Sequence, residues 1–294
     1  MCWHREDNAP PSYAWTLTTT TVAGTTVRYH NPPGALGLVI LFDGGGGGSV
    51  WFTLMENRLL VEALVDAGYA VAALQSAGPG GDFDMTDDPL TNQDLQNVEG
   101  TITALGFAGA AVYYAGFSSG GAFASLATVH TPARAIGLLN VRGLASTYTN
   151  PALPPPPTLW VVGRNDQRVP PNDAGLTANW AAIAASGIDW ELYVNEPAGL
   201  LPEAFERISD PGSSVSPADS SALVADLQAS GQLDACAVPI GPANTLSWGL
   251  VSPGPSFTPA FLAEAQRQVN ELYGSHVVTA DFRQQLADFF LAHP

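Results

Sequence analysis

The run Gly116-Phe117-Ser118-Ser119-Gly120 sits at a junction that few folds can accommodate. Before it stands the apolar stretch 111–115, which reads as a buried strand, and after it the stretch 122–127, which reads as a helix. A sharp strand-to-helix turn forces its central residue into a strained backbone conformation and points that side chain out of the sheet. The flanking glycines leave room for the turn and for close helix packing. Ser118 is thereby singled out as a nucleophile at the positive end of the helix that follows. The pentapeptide alone is a weak signal; its setting supplies the mechanism.

A serine hydroxyl is a poor nucleophile until a neighbouring base takes its proton. In a strand-turn-helix setting of this kind the partners follow in the order acid, then histidine. Residues 159–163 read as a strand, and Arg164-Asn165-Asp166-Gln167-Arg168-Val169-Pro170 comes directly after it. An acid just past a strand end suits the orienting carboxylate, so Asp166 is expected in that role. Asp173 reads instead as the start of the next helix. Of five histidines, His4 and His30 precede the nucleophile. His130 closes the helix that begins at Ser118, roughly 15 Å away at about 1.5 Å per residue, and His293 is penultimate. His276, in a loop between two helical patterns, remains as the base.

Hydrolysis also needs donors for a developing oxyanion. The apolar strand 38–42 runs into Asp43 and then five consecutive glycines, 44–48. Backbone N–H groups there can approach a substrate without side-chain obstruction. Gly45 and Gly46, with the N–H of Ser119, are the expected oxyanion hole. A phosphate cradle is excluded by the missing Gly-Lys-Ser/Thr, since the chain contains no lysine.

On these residues the chain resembles the α/β-hydrolases. The likeness rests on Gly116–Gly121, the strand and glycine loop at 38–48, Gly163–Pro170 and the late His276, and it covers about residues 36–194 plus the C-terminal thirty or so. Within that superfamily it looks like a serine carboxylesterase of the polyhydroxyalkanoate depolymerase-like and feruloyl esterase-like group. The glycine run is also similar, more weakly, to that of pectin acetylesterase-like hydrolases. The resemblance implies a mostly parallel central sheet with helices on both faces, an acyl-enzyme mechanism and no cofactor or metal. Many relatives carry His-Gly where this chain has Asp43-Gly44. An ionised Asp43 donates no hydrogen bond, so its expected part is to tether the loop by accepting backbone N–H bonds.

Along the chain, strand and helix signals alternate as such a fold requires. An N-terminal antiparallel hairpin is expected over Ala23-Gly24, between 14–22 and 25–29. Helices are expected at 55–67, 92–105 and 176–185, and strands at 69–74, 135–141 and 188–194. Asp94 lies near the start of its helix, where a carboxylate is favoured by the dipole. Residues 196–268 break the rhythm with Pro, Gly and Ser clusters around short helices. That is too long for a plain connection, and it is read as a cap returning through a helix at 259–272 to His276. The whole chain is otherwise expected to be one domain.

Composition narrows the partners. The formal net charge is −17, yet charged residues are only 13% of the chain, so the imbalance comes from scarce basic residues. Such a surface disfavours nucleic acid and anionic membranes, which need clustered cations. No apolar run reaches membrane-spanning length. The expected partner is an uncharged small-molecule or polymeric ester, aromatic if Trp51 and Phe117 line the pocket mouth, and the protein is expected to be a monomer. Cys2 and Cys236 are the two cysteines, and spacing leaves open whether they meet. The first residues lack an apolar signal core; the readings of a cytoplasmic enzyme and of an exported one without its leader both stand, with the Thr-rich start favouring export. A peptidase or amidase on the same fold, and a binding protein with an idle site, are the rival functions.

Overall fold

The computed structural model describes residues 4, 15–45, 50–150, 152–206, 208–210, 213–248 and 258–294. β1 (Thr18–Val22) and β2 (Thr25–His30) form the expected hairpin across Ala23 and Gly24, both at positive φ. β3 (Leu38–Phe42) leads through α1 (Met55–Asp66) to β4 (Ala70–Leu74), which pairs on one side of β3. After α2 (Gln93–Ala104), β5 (Val112–Phe117) pairs on the other side. The chain then steps in one direction through α3 (Ser119–His130), β6 (Ile136–Leu139), α4 (Ala145–Thr149), β7 (Thr158–Gly163), α5 (Ala174–Ser186) and β8 (Trp190–Asn195). α6 (Pro217–Ala229), α7 (Pro259–Leu272) and α8 (Arg283–Ala292) follow.

The sheet order is β1-β2-β4-β3-β5-β6-β7-β8. β4 through β8 are parallel, and β1 and β2 are antiparallel. This is the α/β-hydrolase architecture that the sequence led us to expect. The order places β4 and β5 on opposite sides of β3. α1, after β3, and α3, after β5, pack on opposite faces of the sheet. A crevice therefore opens outside the carboxyl ends of these two strands. The loop that begins at Asp43 and the turn at Ser118 both emerge there.

The strands that frame the crevice are stiff. Every residue of β3 and β4 is buried, as parallel strands covered on both faces require. Leu38, Ile40 and Phe42 join the core beneath α2, α3 and α5, while Val39 and Leu41 join the core beneath α1 and α8. Phe42 meets the rings of Phe83, Tyr114 and Phe123 edge-on, at 5.5, 5.5 and 5.2 Å. Each such pair contributes about 0.5–1.5 kcal/mol beyond area burial, so the end of β3 is well fixed where the glycine loop begins.

The segment after β8 has an apolar core of its own. Leu200, Phe205, Leu223, Leu227, Phe261 and Val269 cluster there, together with Met55 and Leu59 of α1. Cys236 in this segment is disulfide-bonded; the chain's other cysteine, Cys2, lies outside the described residues. Among the described residues no helix is long and apolar enough to cross a membrane.

Candidate active site

Ser118 sits between β5 and α3 with φ +52° and ψ −124°. Such a backbone costs a non-glycine residue about 1–3 kcal/mol and persists only where its surroundings enforce it. The enforcing contact is visible at Gly120. A Cβ there would lie 2.1 Å from the Asp43 carbonyl oxygen and 2.5 Å from that of Phe42. The first turn of α3 is thus pressed directly onto the end of β3. The Ser118 N–H is satisfied by the Leu139 carbonyl at 3.0 Å.

The structure brings Ser118, His276 and Asp166 into one hydrogen-bonded line. Ser118 Oγ is 2.9 Å from His276 Nε2, and His276 Nδ1 is 2.7 Å from Asp166 Oδ2. The other carboxylate oxygen, Oδ1, accepts the N–H groups of Arg168 at 2.7 Å and Val169 at 3.0 Å. Asp166 is buried. Burial alone would push its pKa up, but the hydrogen bonds from His276, Val169 and Arg168 outweigh it and hold the carboxyl below the ordinary aspartate value. Three of the four remaining histidines are hydrogen-bonded elsewhere: His30 with the Thr16 carbonyl, His130 with Asp87 and His293 with the Phe289 carbonyl and Asp189.

Sequence reasoning missed the residues that hold the His276 loop. Asn140, buried and at φ +50°, accepts the Gly163 N–H at 2.7 Å and donates through Nδ2 to the Val277 carbonyl. It therefore ties the end of β7 to the residue beside His276. Asn165 donates to the Tyr273 carbonyl at 2.8 Å, and Asn195 to the Glu271 carbonyl at 2.8 Å. Glu56, buried on α1, accepts the Ala280 N–H at 2.9 Å and Gln268 Nε2 at 3.0 Å. A signal was present for Asn140, because an asparagine closing an apolar strand suits a positive-φ position. For Glu56 it was a lone carboxylate on the apolar stripe of a helix.

The loop after β3 carries the expected tether: Asp43 Oδ2 accepts the Val50 N–H at 2.9 Å. Gly45 lies over the turn, since a Cβ there would be 3.5 Å from Ser119 Oγ and 2.5 Å from Asp82 Oδ1. Ser119 opens α3, and its N–H is one of the four that a helix leaves without an internal acceptor. Gly46, the other expected donor, lies outside the described residues. Asp94 lies in the first turn of its helix as expected, and it also ties the preceding loop by accepting the N–H groups of Ala77 at 2.7 Å and Asp84 at 2.9 Å.

The two aromatic residues expected at the pocket mouth part company. The Phe117 ring lies 5.1 Å from the His276 ring and lines a cavity of about 150 Å³ with Val50, Leu54, Val277 and Val278. Glu264 and Arg267 of α7 and Glu56 of α1 also line that cavity. Trp51 corrects the expectation. It is fully buried in the core beneath α1 and α8, because the short 3-10 turn Val50–Phe52 rotates it inward, away from the crevice.

No family model and no curated protein matches the chain. Several solved structures are similar in fold. A predicted CIB-like hydrolase from Thermoplasma acidophilum is 21% identical with a TM-score of 0.48, covering 65% of this chain and 91% of its own. A thermophilic esterase, Est2, from the planctomycete Thermogutta terrifontis is 17% identical with a TM-score of 0.45, covering 64% and 84%. A hormone-sensitive lipase from a metagenome library is 16% identical with a TM-score of 0.43, covering 63% and 77%.

Proposed function

We propose that the chain is a serine hydrolase of carboxylic esters that works through an acyl-enzyme. The observation that carries this reading is the unbroken line from Ser118 Oγ through His276 to Asp166, at 2.9 and 2.7 Å. Ser118 attacks the ester carbonyl as its proton passes to His276 Nε2, while Asp166 holds the Nδ1–H tautomer and stabilises the imidazolium. The N–H groups of Ser119 and of Gly45 and Gly46 receive the oxyanion. His276 then gives the proton to the departing alkoxide, and water attacks the acyl-Ser118 carbonyl with the same base, regenerating the hydroxyl and releasing the acid.

Residues 196–268 serve in this reading as a cap on a single hydrolase domain. What supports it is the placement of Glu264 and Arg267, on the helix that closes this segment, against the cavity beside His276. The small apolar part of that cavity, with Phe117 on its wall, suits a short acyl group better than a bulky aromatic one.

A fluorophosphonate probe should label the protein once, at Ser118, and label no residue after Ser118→Ala. The same substitution should lower turnover of p-nitrophenyl esters by roughly 10⁴-fold or more with the melting temperature retained. Full activity in the alanine variant would overturn the assignment. Turnover of amides and not esters would turn it toward a peptidase, and failure to label would favour an idle site.

A further inference from the structure

Two cavities meet at His276, and their chemistries differ. Sharing His276 and Val277 with the apolar one is a cavity of about 380 Å³ whose walls include Asn165, Gln167, Asn244, Asn270 and Arg168. Among the described residues no carboxylate lines it. In a chain with 27 acidic and 10 basic residues, an acid-free cavity holding an arginine runs against the composition. Elsewhere Arg142 pairs with Asp173, Arg164 with Glu196 and Arg267 with Glu264. The Arg168 side chain is exposed and makes no hydrogen bond or ion pair among the described residues. Its backbone is fixed, because the Arg168 N–H donates to Asp166 Oδ1 at 2.7 Å. A guanidinium with its donors unspent, anchored two residues from the orienting carboxylate and surrounded by neutral amides, is built to receive a planar oxyanion.

Geometry also says which half of the substrate would carry that anion. The departing oxygen takes its proton from His276, so the alcohol half must lie along the imidazole. In the reading proposed above the acyl half takes the smaller apolar cavity beside Phe117, which leaves the polar one, also walled by His276, to the leaving group. The net charge of the chain opposes an anion at long range. At physiological salt that field is screened over about 8 Å, so a direct contact with Arg168 decides.

We infer that the polar cavity is a subsite for an anionic leaving group: an ester whose alcohol half bears a carboxylate, read by Arg168. The inference rests on the ester-hydrolase reading of Ser118, Asp166 and His276, and it replaces the uncharged substrate expected from composition for the alcohol half alone.

The test compares kcat/KM for O-butyryl glycolate and O-butyryl glycolamide, each normalised to its hydroxide-catalysed rate. The wild-type protein should prefer the glycolate about tenfold, the size of one charge-assisted hydrogen bond on an exposed guanidinium. Arg168→Gln should bring the ratio near one, Arg168→Lys should keep part of it, and Arg168→Glu should invert it. Moving the charge to the acyl half, with monoethyl succinate against ethyl succinamate, should give no preference for the anion. A wild-type ratio of one, or a preference that Arg168→Gln leaves intact, overturns the subsite. A preference for the acyl-half anion overturns the assignment of halves. If esters turn over and Ser118 takes the fluorophosphonate but no preference exists, this inference alone fails; without turnover and without labelling, the hydrolase reading falls and takes the subsite with it.

Discussion

Ser118 and Asp166 are delivered to the site by strands, His276 by a loop between helices, and the two kinds of delivery draw on backbone contact and side-chain hydrogen bonds in different proportion. β5 and β7, which precede Ser118 and Asp166, are buried almost throughout and locked into the sheet ladder. Position there is enforced by hard contact between backbones, as at Gly120 and Asp43. His276 has no strand beneath it. Its place is set largely by side-chain hydrogen bonds reaching from distant elements, from Asn140, Asn165, Asn195 and Glu56, added to one backbone contact at the end of β7, where a Cβ on Gly163 would lie 2.2 Å from the Gly274 carbonyl oxygen. A half held by sterics fails by not folding. A half that leans on side-chain hydrogen bonds can lose one and with it alignment while the fold survives.

The largest expected effect breaks the strand-borne half. Gly120→Ala puts a methyl group 2.1 Å from a backbone carbonyl oxygen that belongs to the end of a central strand. Neither partner can yield, so the loss of stability should exceed about 4 kcal/mol, at the extreme of single substitutions. Urea unfolding, or failure to recover soluble protein, reads it out. An alanine variant within about 1 kcal/mol of wild type would show that the elbow is not held by contact with β3.

Asn140→Asp probes the other half. The aspartate keeps an acceptor for the Gly163 N–H but loses the donor to the Val277 carbonyl. The His276 loop should then sit loosely against the end of β7, and a misplacement of about 1 Å costs on the order of 100-fold in rate. The expected signature is a fall in kcat of that size with little change in KM, and a melting temperature lower by only a few degrees. Equal loss of kcat and stability would mean that the loop depends on packing as the strands do.

The same division explains what was legible in the chain. Strand-borne positions announce themselves locally: an apolar run, then Gly-Phe-Ser-Ser-Gly, or an apolar run, then Arg-Asn-Asp. Ser118 and Asp166 could therefore be singled out by pattern. His276 carried no pattern and was reached by setting four other histidines aside. Asn140 and Glu56 act across 137 and 224 residues of chain, and no window of sequence contains both partners. Trp51 was misplaced for a related reason. Composition says that an aromatic residue follows the glycine loop, but only the turn at Val50–Phe52 decides which face of the sheet receives it.

The smallest expected effect sharpens the comparison electrostatically, because the two halves carry carboxylates shifted in opposite directions. Asp166, at the strand end, is held below its ordinary value by the bonds that it accepts. Glu264, on α7, is raised above 4.5 by burial first and by the neighbouring Glu56, with Arg267 only partly offsetting them. Linkage then gives slopes of opposite sign. For Asp166 the folded state binds its proton less tightly than the unfolded one, so its contribution is present at neutral pH and lost as the pH falls through the lowered folded value. For Glu264 the folded state binds the proton more tightly. Its contribution is present in acid and is lost as the pH rises from the ordinary glutamate value through the raised one. Glu264→Gln removes that second slope and leaves the first. Melting curves taken from pH 4 to pH 8 should converge as the pH falls below the ordinary glutamate value and separate upward, with the glutamine variant the more stable at pH 8. Curves that stay parallel would mean that α7 meets the site with its carboxylate already solvated, and the helix-borne half would then lack the buried charge that sets it apart from the strand-borne one.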